Sequence, residues 1–224
     1  MKTFRMLVLM LAVGVITAGL GCSSKTAGTP APSASAPGAT ATSTASGATS
    51  PGATGTPVPG SQTAVTPEKN PPGDIPDNQA FVVFSAKAGH VAFKVPEGWA
   101  RSTTPAGVVF TDKLNTIDVS WKSAASAPTL SGVKSSDVAA ISAASEAFSL
   151  TSVTAEKLPV GDAILLRYQI NSAPNSVTGK KYRLQVERHI IFRGSTRVDV
   201  TLLSPVGSDN VDPWNIVKKS LTWL

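Results

Sequence analysis

The chain holds two histidines and one cysteine, so acid–base or nucleophilic chemistry that needs an imidazole must be built around His90 or His189. His189 follows Glu187 by two positions in an alternating stretch, which puts carboxylate and imidazole on one face of a strand. Side chains so placed point outward in parallel, and no motif sets a serine beside them. G-x-S-x-G, H-E-x-x-H and P-loop patterns are absent. Asp112, Asp118 and Asp162 are too dispersed in sequence to define a metal site, and one cysteine with two histidines leaves no all-His/Cys zinc set. The expectation is therefore a chain with no catalytic residue, no metal and no cofactor.

Binding chemistry is better represented. Arg167, Lys181, Arg183, Glu187, His189, Arg197 and Asp199 fall on the polar half of three alternating segments. If those strands are neighbours, the residues form one net-basic face, with Arg183 and Arg197 as fork donors to a carboxylate or phosphate. Arg167, Lys181, Arg183, Glu187 and Arg197 are taken as the candidate ligand or partner face. The plainer alternative is a set of cross-strand ion pairs on a solvated surface, each contributing little. Trp99, Trp121, Trp214 and Trp223 fit core or sheet-edge packing better than a sugar platform.

The elements that must carry these residues are legible in hydrophobic periodicity. Phe81–Phe84 and Val91–Val95 read as short strands, the second ended by Pro96-Glu97-Gly98. Gly107–Thr111 and Thr116–Trp121 form the next pair around an Asp112-Lys113-Leu114-Asn115 turn. Ser135-Ser136-Asp137 offers cap residues for a helix whose stripe is Val138, Ile141, Ala144 and Phe148. Period-2 patterning then runs through Ile164–Asn171, Tyr182–Phe192 and Val198–Leu202, with a turn at Gly194-Ser195-Thr196. Such alternation predicts an antiparallel sheet with one much more polar face. A closing helix starts at Asp212-Pro213, with Asp as cap, Pro first, and an apolar stripe of Trp214, Val217 and Leu221.

The first third is a different material. From residue 23 to 66, 40 of 44 residues are Ala, Gly, Ser, Thr or Pro, too little apolar surface to offset chain entropy. Pro67, Pro71, Pro72 and Pro76 extend this tether to about residue 79, and as a flexible coil it would span on the order of 40 Å. A bare spacer and an O-glycosylated stalk both fit its composition. Residues 80–224 carry 16 Lys and Arg against 11 Asp and Glu, a modest surplus. No basic run with interleaved aromatics argues for nucleic acid. Ahead of the tether, Lys2 and Arg5 precede an uncharged stretch from Met6 to Leu20, too short for a spanning helix but suited to an export signal.

That stretch ends at Ala18-Gly19-Leu20-Gly21-Cys22, which resembles the lipobox of bacterial lipoproteins, with Gly19 and Leu20 in the opposite order to its preferred form. The resemblance implies a signal peptide over 1–21, a diacylglyceryl group on Cys22 and an acylated, palmitate-type N-terminus. It implies a mature protein held on the extracytoplasmic face of the cell membrane. Two or three acyl chains hold durably where one holds weakly.

Phe93-Lys94-Val95-Pro96-Glu97-Gly98-Trp99 resembles the opening of PsbP/Mog1-like domains, and Trp214-Asn215-Ile216-Val217-Lys218-Lys219-Ser220-Leu221 resembles their closing helix. Actinobacterial-type lipoproteins with such a domain after a Pro/Ala/Ser/Thr tether are similar in organisation. The resemblance covers 80–224. It implies an α+β fold, an antiparallel sheet flanked by helices in an α/β/α sandwich, used as an adaptor or binding module with no catalytic residue. Function is thus expected to be binding of an envelope protein or wall polymer. The alternatives are a small-ligand carrier with a pocket between sheet and helix and, last, a hydrolase of envelope material. An adaptor should show an exposed apolar or basic patch and no deep cavity, a carrier an enclosed apolar pocket, and an enzyme His90 or His189 in a cleft beside a carboxylate or hydroxyl.

Overall fold

The computed structural model describes residues 62–224. The expected signal peptide, Cys22 and the tether up to residue 61 lie outside the described residues.

Among the described residues, ten strands form two antiparallel sheets. β1 (Phe81–Ala86), β2 (Val91–Pro96) and β10 (Thr222–Trp223) make a small sheet with β2 central. The large sheet runs β3-β4-β5-β9-β8-β7-β6, from β3 (Ala100–Thr104), β4 (Gly107–Asp112), β5 (Asn115–Ser123), β6 (Ser149–Leu158), β7 (Gly161–Asn171), β8 (Arg183–Arg193) and β9 (Thr196–Pro205). Every neighbouring pair is antiparallel, the expected class. β3 and β6, which lack clean alternation, are the two edges of this sheet. β3 is exposed along its whole length.

Both faces of the large sheet are covered. On one face Ile117, Val119, Val198, Val200, Leu202 and Ile191 meet Val91, Phe93 and Val95 of β2 and Trp214, Val217 and Leu221 around α3 (Val211–Lys219). On the other, Ile164, Leu166, Tyr168, Val186 and Ile190 lie under a helical segment, where α1 (Leu130–Gly132) passes through a π-helical turn (Val133–Asp137) into α2 (Val138–Ala144). Val133 and Ile141 point down from it. The result is three layers, and the central strand β9 is buried along nearly its whole length.

The helix starts differ from the expected ones for a local reason. Thr129 caps the helical segment, its Oγ1 accepting from Gly132 N at 3.1 Å. Asp137 is therefore inside the segment rather than at its cap, and Phe148 lies beyond its end, packed on Tyr168 with ring centroids 5.4 Å apart. Asp212 stands in the first turn of α3, while Asn210 holds the cap position without a side-chain cap bond.

Asn210 is occupied elsewhere, and its partners revise the tether boundary. Residues 62–79 have no regular secondary structure but lie against the folded unit instead of leaving it. Ile75 is 4% exposed and joins the core. Its N–H donates to Asn210 Oδ1 at 2.8 Å, and Gly73 O accepts from Asn115 Nδ2 at 2.7 Å and Asn210 Nδ2 at 2.9 Å. Farther along this strap, Val65 N donates to Asn171 Oδ1 at 3.1 Å and Asn171 Nδ2 to Thr63 O at 3.0 Å. Three buried asparagines thus give an irregular backbone the partners that a ladder would otherwise supply.

Candidate functional site

β8 and β9 are joined by a two-residue loop, Gly194-Ser195, with Gly194 at φ 62°. The loop pairs Arg193 with Thr196, and so His189 with Val200 and Ile190 with Asp199. This register divides the expected polar surface. Arg167, Gln169, Arg183, Gln185, Glu187 and His189 share the face of α3, whereas Arg197 and Asp199 face the helical segment. The single basic face of five residues does not form.

Arg197 is 7% exposed and works inside the fold. Its Nε donates to Asp199 Oδ1 at 2.6 Å and its Nη2 to Asp137 Oδ1 at 2.5 Å, which pins the helical segment to β9. Burial works against the guanidinium charge, but Asp199 and Asp137 raise its pKa above the ordinary value. Arg188 lies beside this group, its Nε donating to Thr201 Oγ1 at 3.1 Å.

Arg183 is 5% exposed and is likewise structural. It donates to Ala147 O at 2.7 Å, Asn171 Oδ1 at 3.2 Å and Gln169 Oε1 at 3.2 Å, and burial lowers its pKa. Ala147 stands at φ 50°, and the guanidinium fixes that strained turn. Lys181 lies just before β8 and binds Glu146 at 2.5 Å and Gln62 at 3.3 Å, so it ties down the strap. Lys180 pairs with Glu68 of the same strap.

Arg167 and Glu187 are the two expected site residues that remain together and open. They line a cleft of about 390 Å³ between β6–β9 and α3, with Gln169, Gln185, Trp214 and Lys218. Arg167 Nε donates to Glu187 Oε1 at 2.8 Å. Lys218 Nζ stands 3.7 Å from Glu187 Oε2. Periodicity could not place Lys218 here, because it reaches the site from α3. A second sign was available: it follows Trp214 by one helical turn, on the side of α3 that faces the sheet.

His189 is fully buried behind this cleft and does not line it. Its Nδ1 pairs with Glu156 of β6, and its Nε2 lies 3.5 Å from Glu187 Oε2, too long for a well-formed hydrogen bond. Burial opposes the imidazolium, yet the two carboxylates raise the pKa of His189. Glu187 is held at about 2, first by His189 and then by Arg167 and Lys218, against burial. A chain of alternating charges thus runs from behind the cleft into it: Glu156, His189, Glu187 and then two cations. His90, in the αL conformation at the end of a short 3₁₀ turn, is exposed and sits elsewhere, beside Trp223 and the Gly194 loop.

Among the described residues no group of three or more His, Cys, Asp or Glu side chains could hold a metal ion, and no helix is long and apolar enough to cross a membrane.

No protein-family model and no curated protein sequence matches the chain. Solved structures do. The chain is similar to cyanobacterial PsbP (CyanoP) from Synechocystis at 14% identity, over 69% of this chain and 100% of that one, with a TM-score of 0.46. It is similar to the Ran-binding protein Mog1p of Saccharomyces cerevisiae at 8% identity, over 62% and 82% of the two chains, with a TM-score of 0.40. It is also similar to LpqN of Mycobacterium tuberculosis, described as involved in cell envelope biogenesis, at 13% identity over 65% and 85%, with a TM-score of 0.40. The likeness is one of fold alone.

Proposed function

We propose that this chain is a lipid-anchored extracytoplasmic binding protein, held to the membrane through Cys22 and acting without catalysis through the cleft between the large sheet and α3. The observation that carries the binding role is the division of labour among its charged residues. Arg183, Arg197 and Lys181 are spent on the fold, while Arg167 and Lys218 converge on Glu187 at an open concave surface. Pockets of about this size with a few convergent polar groups are the usual form of a small-molecule site. The anchor is supported by the chain's only cysteine standing where an export signal ends and a Pro/Ala/Ser/Thr tether begins.

A non-catalytic role is supported by the placement of His189, which is sealed behind Glu187 and lies outside the cleft lining. Of the two binding roles, carrier and envelope adaptor, the cleft favours the carrier, because it lies between sheet and helix. It differs from the expected carrier pocket in being open and polar-floored, which suits exchange of ligand with a neighbour.

Photo-crosslinking in intact cells tests the role. A crosslinker at Val211, on the cleft rim, should capture a defined adduct that one at Ser102, on the exposed edge β3, does not. Equal capture at both positions, or capture at Ser102 alone, contradicts it.

A further inference from the structure

We propose that the cleft takes an acidic amphiphile, a carboxylate or phosphate head on a short apolar body, with Arg167 and Lys218 holding the head. This ligand class rests on the binding-module reading and specifies what that module holds. Three observations converge on it.

The first is unused donor capacity. Arg167 commits Nε to Glu187, and among the described residues its terminal N–H groups make no hydrogen bond. Its side chain is 43% exposed. Lys218 is only 18% exposed, yet among the described residues its ammonium makes no hydrogen bond and stands 3.7 Å from its carboxylate partner. A cation paired this loosely keeps donor capacity that an incoming anion can take up.

The second is charge balance. Among the described residues Glu187 is the one carboxylate lining the cleft, against Arg167 and Lys218. Glu156 faces His189 on the far side and leaves the cleft cationic. Glu187 itself offers no acceptor of choice to a cationic ligand, since Arg167, Lys218 and His189 already surround it. An incoming acid meets a guanidinium fork and an ammonium, the pair suited to carboxylate and phosphate oxygens.

The third is the wall. Val211, 67% exposed, stands at its rim, above Leu202 and Trp214, which border the same space but are almost wholly buried. A free anion would leave the Val211 side chain wet, whereas a short alkyl body covers it. At about 390 Å³ the site is near the small end of the roughly 300–1,000 Å³ range for ligand pockets, so the body must be short.

The test titrates the full chain in maltoside micelles with hexanoate, hexyl phosphate, hexanol and inorganic phosphate, read at the Trp214 indole N–H resonance and by calorimetry. Hexanoate and hexyl phosphate should both shift and saturate that resonance. Hexanol and inorganic phosphate should each bind at least tenfold more weakly. The tighter of the two acids identifies the head as carboxylate or phosphate. Arg167→Gln with Lys218→Met should lower affinity tenfold or more. Val211→Asp, an exposed change that leaves the core untouched, should do the same by placing a like charge at the rim. Hexanol binding as tightly as hexanoate overturns the ligand class and leaves a binding cleft standing. Inorganic phosphate matching hexyl phosphate overturns the amphiphile. A Trp214 resonance unmoved by every probe overturns the ligand class and the cleft's binding role together.

Discussion

Glu187 Oε2 and His189 Nε2 stand 3.5 Å apart on one face of β8, the second buried completely and the first reaching into the cleft. Their proton affinities move in opposite directions, so stability should depend on pH from both ends. His189 is raised above its ordinary 6.5 by Glu156 and Glu187 against burial. Its contribution is complete below about 6.5 and fades as pH climbs through the higher folded value. Glu187, ordinarily 4.5, is held at about 2. Its contribution is complete above about 4.5 and fades as pH falls toward 2. Urea denaturation from pH 2 to 9 should show stability falling on both sides, by at most about 1.4 kcal/mol per pH unit for each group. His189→Gln should flatten the alkaline side and also reduce the acid slope, without abolishing it, because Arg167 and Lys218 still lower the Glu187 carboxyl. An unchanged alkaline slope in that variant contradicts the assignment.

The strap should be part of the folding unit. Asn210→Ala strips Gly73 O and the Ile75 N–H of a buried partner, an expected loss of about 1–3 kcal/mol. Ile75→Ala should cost about 2–4 kcal/mol through the cavity it leaves beside the core. Thermal unfolding of the full chain with each change checks both. A free, unstructured strap would make both substitutions silent.

Arg197→Met should be among the most damaging substitutions, at about 3–5 kcal/mol, because it leaves Asp137 and Asp199 facing one another without their cation. Arg101→Met, on the exposed edge β3 with its guanidinium over the Phe84 ring, should cost under about 1 kcal/mol. Chemical denaturation of the two variants should separate them clearly.

Asp118 is raised above its ordinary value by burial, with Arg188 opposing and Asp199 adding to the shift. A carboxyl whose folded pKa is raised is a liability once it ionises, so Asp118→Asn should raise the melting temperature at pH 7 by roughly 1–3 °C and have less effect near pH 4. A lower melting temperature at pH 7 would mean that Asp118 is needed as the ion pair of Arg188.

Gly89 is fixed by its neighbour. A Cβ there would meet Trp121 Cε3 at 2.7 Å, inside the short turn between β1 and β2. Gly89→Ala should destabilise by about 1–3 kcal/mol and broaden the Trp121 indole resonance. A neutral effect would show that the Trp121 ring has room to move.

These outcomes bear on how much the sequence discloses. The alternation through Ile164–Ile170 and Val186–Ile190 places the long strands and their apolar face correctly, because period 2 is a property of single strands. Which polar residues meet is a property of pairs. Treating Gly194-Ser195-Thr196 as a three-residue turn slips β9 by one position and gathers Arg197 and Asp199 beside His189. The actual two-residue loop turns them to the opposite face. β3 and β6 are edge strands with little apolar pattern to read, and β10 is two residues long. The strap is invisible to composition because scattered asparagine and lysine contacts and a single isoleucine hold it, and its prolines argue only against a ladder.

The direct measurement is the intact mass of the chain extracted from cell membranes. An N-terminus at Cys22 carrying diacylglyceryl and acyl groups, together with release of Cys22→Ala from the membrane fraction, is the predicted result. An unmodified N-terminus, or a Cys22→Ala chain that stays equally membrane-bound, contradicts a lipid-anchored binding protein.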